Sequence, residues 1–361
     1  MISYHSTKIQ EARRIVGGCV GKRGMWASPY RYQEQCWTRD FVIAGIDALL
    51  DAGNTEIVKK HLFELSKRQK PDGQIPIMFL DNTLRWLGIK IRNSFREKRT
   101  SFLLKAFLTS TGVAGLSPWT RDSELLFVLG VYRYVERTND IDILVYLEPS
   151  IKRAISYIET RLLSGGLICG VDWRDTRPDL DGQPLLTNNC FLYKMYLMRG
   201  ETIRAEQIRR EINQKFWTGN YYRDYPGTDD WDTLGNALAI LFDIASEEHI
   251  LSILNKAEDF NTPSGYMLNS VTLPPKTSKE RELMNRVNQY GVIWPFIHGF
   301  MILAALKAGK KNIASVQFEK WNALPGFFEW YDPVAGSGHG SSEQLWSAAL
   351  YLRCVKALSI S

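Results

Sequence analysis

Six stretches of the chain are apolar almost all round: Phe41–Leu50, Leu125–Val135, Phe191–Met198, Leu234–Ile244, Phe296–Leu306 and Leu345–Leu358. Helices without a polar face are buried on every side. Each of the first five is followed, after a short turn, by a segment with a narrower apolar stripe: roughly Thr55–Lys67, Ile143–Arg161, Thr202–Phe216, Glu247–Ala257 and Asn312–Trp321. Such a stripe buries one face and leaves the other in water. The sixth buried segment has no partner behind it, but an amphipathic stretch near Thr7–Val16 opens the chain and can close the set. Strand patterns are few, with one hairpin expected around Gly166–Val171.

Buried and half-buried helices in strict alternation predict an all-α fold of six helical hairpins closed into a double ring, the (α/α)6 toroid, with few short strands. A linear repeat array would carry a fixed sequence period, and none is present. No Ser/Pro linker or charge block divides the chain, so residues 1–361 read as one catalytic domain with a basic excursion at about 82–112.

Composition narrows the function classes. With 45% hydrophobic residues and 11 Trp among 361, a disordered chain is excluded. The net charge of +6 is local. Between Leu84 and Lys105 lie Arg85, Lys90, Arg92, Arg96, Lys98, Arg99 and Lys105 against the single acid Glu97, so this stretch holds the whole excess. A nucleic-acid footprint needs basic residues spread over a face, so no nucleic-acid partner is expected. The five Cys and five His are scattered without a CxxC, which argues against zinc and against a disulfide framework; no metal or cofactor is expected. The opening MISYHSTKIQEARR has no apolar signal core. The most apolar run, Gly291 to Leu306, is short for a membrane span and contains Pro295 and His298. A soluble, cytoplasmic protein with no membrane partner is the expectation, with room for a homo-oligomer.

Polar and aromatic residues gather just before or at the start of the buried helices. They read Trp37-Thr38-Arg39-Asp40, Pro118-Trp119-Thr120-Arg121-Asp122, Thr187-Asn188-Asn189, Asp229-Asp230-Trp231-Asp232, Tyr290-Gly291-Val292-Ile293-Trp294 and Ser342-Glu343-Gln344-Leu345-Trp346. In a toroid the inner helices run parallel, so these starts meet at one mouth. Asp and Ser at a helix start are also ordinary caps. Six such motifs on one rim, five with Trp, describe a sugar pocket: rings for the flat faces, forked polar groups for the hydroxyls. Gln74, in the turn before the basic excursion, joins the candidate binding residues.

Carboxyl groups are the abundant catalytic candidates. Asp172-Trp173-Arg174-Asp175-Thr176-Arg177 is a loop with two acids and two arginines around a Trp, and Phe327-Phe328-Glu329-Trp330-Tyr331-Asp332 embeds an acid among rings. Apolar surroundings raise a carboxyl pKa and guanidinium lowers it, which can separate an acid from a base. Glycoside hydrolysis needs such a pair across the scissile bond. Gly336-Ser337-Gly338-His339-Gly340 looks like a phosphate cradle but lacks the βαβ context, and is read as a flexible approach to the last helix. No Gly-x-Ser-x-Gly elbow exists.

Several motifs occur in a fixed order: Arg39-Asp40-Phe41-Val42, Glu56-Ile57-Val58-Lys59, Asp175-x-Arg177 with Gly182 and Pro184, Leu234-Gly235-Asn236-Ala237-Leu238-Ala239-Ile240-Leu241, Tyr290-Gly291 with Trp294-Pro295, and Glu329-x-Tyr331-Asp332 leading to Gln344-x-Trp346-Ser347. The ordered set resembles the helical-toroid glycosidases, and most closely the neutral and alkaline invertases. The Glu329–Gly336 pattern is also similar to one found in α-glucosidases and trehalases. By this resemblance Asp175 corresponds to the general acid and Glu329 to the general base of an inverting mechanism. Arg39 and Asp40 correspond to residues that hold glucose hydroxyls, with Trp294, Gln344 and Trp346 completing that wall. The chain departs from the pattern in having Phe328 before the glutamate and Thr176-Arg177 beside the acid.

The expectation is an inverting exo-glycosidase for a short α-glucoside, sucrose first. The remaining candidate contacts are Trp37, Trp119, Arg121, Asp122, Asp172, Trp173, Arg177, Asn188, Trp231 and Asp232. The alternatives are another α-linkage, an anionic aglycone, a non-catalytic carbohydrate-binding protein, or an epimerase or isomerase using His298 and His339 near the rim. Trp86, Phe95 and Phe102 suggest that the basic excursion packs as a helical lid; it is either a solvated basic helix or a segment that attracts an anionic substrate or acidic partner, and neutralising Arg96, Lys98 and Arg99 separates the two.

Overall fold

All six apolar stretches form helices, and in the order the pattern requires. The computed structural model describes residues 2–97, 120–270 and 287–359. Helix α1 (Ile2–Gly18) leads through a loop and strand β1 (Gln35–Trp37) into the first inner helix. That helix, α2, begins as Thr38–Asp40, widens into a π-turn at Phe41–Gly45 and continues as Ile46–Asp51. At Gly45 a Cβ would run into the tip of the Met25 side chain, which packs against that turn. The outer helix α3 (Thr55–Lys67) follows, then strand β2 (Met78–Leu80) and α4 (Thr83–Glu97).

The other hairpins run α5 (Ser123–Thr138) to α6 (Asp142–Tyr157), α7 (Leu186–Met198) to α8 (Thr202–Lys215), α9 (Thr233–Leu241) to α10 (Glu247–Ala257), and α11 (Pro295–Lys307) to α12 (Lys311–Ala323). The final inner helix is α13 (Leu345–Ala357). Inner and outer helices differ as their sequences require: α11 is buried without a break from Pro295 to Ala305, whereas α8 buries only Ala205, Ile208 and Ile212.

Packing closes the ring. Helix α2 contacts α5, and the series continues through α7, α9, α11 and α13, which returns to α2. Each outer helix packs on its own inner partner, and α1 packs on α13 as the missing twelfth member. The closure has a polar fastener. Lys8 on α1 is buried and its Nζ donates to the carbonyls of Trp321 (3.1 Å), Asn322 (2.9 Å) and Leu324 around the end of α12, where a helix leaves carbonyls short of partners. Burial pulls the Lys8 pKa down to about 8.

Sheet structure exceeds the single hairpin expected. β3 (Leu163–Ser164) with β4 (Leu167–Ile168) is that hairpin, turning somewhat earlier than expected. β1 with β2, β5 (Asn261–Thr262) with β6 (Gly265–Tyr266), and β7 (Trp330–Tyr331) with β8 (Gly338–His339) are three further antiparallel pairs. Strands of two or three residues are too short to show alternation. Among the described residues no helix is long and apolar enough to cross a membrane, and no group of His, Cys, Asp and Glu is arranged to hold a metal ion.

Of the basic excursion, 82–97 is described; Phe102, Lys98 and Arg99 lie outside the described residues, as do the side chains of Phe95 and Arg96. Its first turns dock rather than hang free. Trp86 is buried with Ile77, Met78 and Leu80 beside Trp37, and Arg85 Nε pairs with Glu34 at 3.2 Å.

Candidate active site

Every inner helix starts at the same end of the ring, and the side chains there reach across it. Arg39 and Asp40 sit in the first turn of α2. Asp122 occupies the start of α5 but makes no cap to its own helix. Both its oxygens instead receive Arg39, through Nε to Oδ2 and Nη2 to Oδ1 (3.2 Å), while Arg39 Nη1 reaches Asp175 Oδ2 at 3.3 Å. This forked pairing is almost dry, with side-chain exposures of 3% for Arg39 and 2% for Asp122. Burial raises the Asp122 carboxyl, with Arg39 working against it. Asp40 receives Gln344 Nε2 from the start of α13 at 2.9 Å. Burial, then the negative charge of Glu329, push its pKa up to about 8 despite Arg39.

Glu329 is delivered from another direction, on the loop entering β7. Its amide donates to Ser341 O (2.8 Å) and its Oε2 receives the Ser341 amide (3.0 Å), so the return strand lies over it. Arg31 Nη1 also donates to Oε2 (3.2 Å) and the Tyr32 hydroxyl to Oε1 (2.9 Å). Burial raises the Glu329 pKa, against Arg31, Tyr32 and the Ser341 amide. The result is a strongly oriented, poorly solvated carboxyl.

The glycine-rich run beside it is not the flexible approach read from sequence. It forms the β7–β8 hairpin and the return toward α13. Gly340 has φ +76°, and a Cβ there would strike the Glu329 carboxyl. Gly340→Ala is therefore expected to displace the Glu329 carboxyl and to lower any turnover that depends on it by about 10²-fold. A wild-type kcat in that variant would disprove the contact's importance.

Asp175 lies on the loop between β4 and α7, with 22% of its side chain exposed. Gln289 braces that loop: its Oε1 accepts from the Thr176 amide (3.1 Å) and hydroxyl (2.6 Å), and its Nε2 lies 3.4 Å from Asp175 Oδ1. Next to these groups Trp173, Trp294 and Trp346 pack edge-to-face, with ring centroids 5.1, 5.4 and 6.4 Å apart, and Phe296 stacks on Trp346 at 4.3 Å. The indole N–H groups of Trp173 and Trp346 and the Gln344 carbonyl oxygen are buried and find no hydrogen-bond partner among the described residues. Leaving such groups unpaired costs about 1–3 kcal/mol each, which a polar ligand can relieve.

The candidates from sequence thus divide. Arg39, Asp40, Asp122, Asp175, Glu329 and Gln344 are joined by hydrogen bonds or direct charge interactions, with the Trp173, Trp294 and Trp346 cluster behind them. Trp37 stands at the edge, 6.3 Å from the Tyr32 ring. Arg177 neighbours Asp175 but pairs with Asp179 and lies over the Tyr290 ring at 4.5 Å.

The others are placed elsewhere or are occupied. Asp172 is wholly buried and both its oxygens hold Arg174, so it is not a sugar contact. Asn188 is buried, with its Nδ2 donating to Gly170 O and its Oδ1 without a partner among the described residues. Trp231 stacks on Phe260 at 5.3 Å and donates to Thr233, a core role. Asp232 is the ordinary N-cap of α9 and also receives Thr187. Gln74 sits on a surface turn with Lys70. Arg121 is half-buried and donates to Thr120 O. Trp119 lies outside the described residues. His298 is not at the rim: it is fully buried between Tyr266 N and Gln317 O, and burial lowers its pKa to about 4. His339 stacks on Trp330 at 4.3 Å.

Sequence reasoning missed Tyr32, Arg31 and Gln289. The first two belong to Tyr30-Arg31-Tyr32, a run of rings and arginine just before Trp37 that has the same character as the rim motifs. Gln289 carried no signal beyond standing next to Tyr290.

No family model matches the chain, and no curated relative does. Solved structures do. A glycosidase carrying a Glu-to-Ala substitution, in complex with glucose, superposes with a TM-score of 0.68 at 13% identity over 99% of each chain. The GH63 mannosylglycerate hydrolase from Thermus thermophilus, in complex with Tris and D-glycerate, gives 0.64 at 14% identity over 96% of this chain and 99% of that one. A rhamnosidase from Klebsiella oxytoca with rhamnose bound gives 0.60 at 14% identity over 98% of this chain and 63% of that one. The chain therefore shares the helical ring fold of glycosidases.

Proposed function

We propose that the protein is an inverting exo-glycosidase that hydrolyses a short α-glucoside in its helical mouth, with Asp175 as general acid and Glu329 as general base. The observation that carries this reading is the pair itself: two carboxyls from different loops, Asp175 paired with Arg39 at the start of α2 and Glu329 acting through its charge on the neighbouring Asp40, in unlike surroundings. Asp175 faces the opening, where an aglycone oxygen can take its proton. Glu329 is shut in, and burial raises its basicity against the pull of the three donors that fix its orientation. Asp40, Arg39 and the unpaired groups of Gln344, Trp173 and Trp346 supply donors and acceptors for the sugar hydroxyls. Sucrose is the first substrate to try.

One observation favours a second aglycone class. Arg31 keeps 30% of its side chain exposed at the mouth while paired to Glu329, and Arg85 is exposed on the docked helix α4. A carboxylate-bearing aglycone would meet cationic groups there, and a fold neighbour holds D-glycerate.

The test is glucose release across a panel of sucrose, trehalose, maltose and α-glucosylglycerate, followed by proton NMR of the first anomer formed. β-Glucose appearing first supports inversion. Sugar binding without glucose release from any member would overturn the reading in favour of a binding protein.

A further inference from the structure

The residue before the acid candidate is a fully buried arginine. Arg174 donates through Nε and Nη2 to Asp172 Oδ1 and Oδ2, both at 2.9 Å, and through Nη1 and Nη2 to Asp224 Oδ2 and Oδ1 at 2.7 and 2.8 Å. Side-chain exposures are 1% for Arg174, 0% for Asp172 and 4% for Asp224. Asp172 also receives the Arg174 amide at 3.0 Å, so one carboxylate binds the arginine by side chain and backbone.

The second carboxylate belongs to a different sector of the ring. Asp224 lies between α8 and α9; its amide donates to Asp230 O, and its carbonyl accepts the amide of Leu186 at the foot of α7, both at 2.8 Å. Arg174 thereby fastens the acid-bearing loop to the starts of two inner helices. The turn bonds of that loop run through the same residue: Asp175 N donates to Trp173 O (3.0 Å) and Arg177 N to Arg174 O (2.9 Å).

Stability alone accounts poorly for this arrangement. Taking three charged groups out of water is costly, and well-packed apolar side chains in their place are often neutral or better. What the forked pairings add is direction, because two bidentate contacts fix a guanidinium plane and the backbone attached to it.

We propose that Arg174 is a positioning residue for Asp175: clamped between Asp172 and Asp224, it sets the turn that holds the Asp175 carboxyl against Arg39 and Gln289. The inference rests on reading Asp175 as the general acid. The clamp acts on one side of the turn, and Gln289 braces the other through Thr176.

The leaving group separates a displaced acid from a damaged fold. Methyl α-D-glucoside departs only when protonated, whereas α-D-glucosyl fluoride needs no protonation. In Arg174→Lys, kcat on the methyl glucoside is expected to fall by about 10²-fold with KM within about threefold, while fluoride hydrolysis stays within about fivefold of wild type. Asp224→Asn, which keeps size and removes one ionic arm, is expected to shift rates in the same sense by about tenfold, and it decides the matter if the lysine variant does not fold. Hydrogen exchange at the Thr176 and Arg177 amides should quicken in both. Equal losses on both glycosides, wild-type rates on both, or unchanged exchange at those amides would overturn the clamp. Asp175→Asn run alongside tests the underlying reading by itself: if it loses fluoride hydrolysis as severely as glucoside hydrolysis, Asp175 is not the acid, and the exchange data on the Arg174 and Asp224 variants still decide whether the loop is clamped.

Discussion

Glu329→Gln is expected to lower kcat by about 10³-fold or more while sugar binding survives. The substitution keeps the side-chain shape, and the surrounding donors can adapt to it. A glutamine oxygen placed at Oε2 still receives the Ser341 amide and Arg31, and its NH2 can donate to the Tyr32 oxygen, since that hydroxyl hydrogen rotates freely. What disappears is the only group at that position able to take a proton from water. Steady-state kinetics give the first number, and calorimetric titration with glucose gives the second. A kcat within tenfold of wild type would remove Glu329 from the mechanism. Loss of binding together with turnover would point to collapse of the hairpin over it.

Arg39→Met is expected to destabilise the fold by about 3–5 kcal/mol and to abolish turnover. The cause is not lost packing, because methionine fills much of the same space. Asp122 is 2% exposed and both its oxygens rest on Arg39, so the single substitution strands a buried carboxylate. The double variant Arg39→Met with Asp122→Asn should recover most of the stability in denaturant unfolding, since the stranded charge is gone. It should remain inactive, because Arg39 also holds Asp175 and flanks Asp40. If the double variant is no more stable than the single, the Arg39–Asp122 pair is not what that part of the ring depends on.

The two experiments separate the roles of one mouth. Glu329 is held by hairpin and loop contacts and is the proposed base; Arg39 joins the starts of two inner helices to the Asp175 loop. Catalytic failure without unfolding is expected from the first, and both together from the second.

Local pattern was enough to reveal the ring. The six apolar stretches and their striped partners each cover one helix and its surroundings, and burial all round or on one side is written in the spacing of nearby residues. Thr55–Lys67 and Glu247–Ala257 have the same ends in sequence expectation and structure for that reason. The short strands were mostly invisible: β1 and β2 pair Gln35 with Leu80, and no periodicity within three residues announces a partner that distant.

The site divides along the same line. The sequence alone marked where polar groups collect, because inner-helix starts are local features, and it named Arg39, Asp40 and Gln344 among them; Asp175 and Glu329 came from two acid-bearing loops and from the resemblance to helical-toroid glycosidases. Which acid would cap its own helix and which would cross the mouth was decided only by tertiary structure. Asp122 and Asp232 both begin an inner helix, yet Asp232 caps α9 while Asp122 turns to Arg39. Asp172 and Asp175 stand three positions apart on one loop, yet the first is sealed around Arg174 and the second is open. A carboxyl's role depends on desolvation and on the charge it meets, and both come from residues far away in the chain. That is why the chain's pattern could predict the ring and its mouth, while the assignment of each acid waited for the elements to pack.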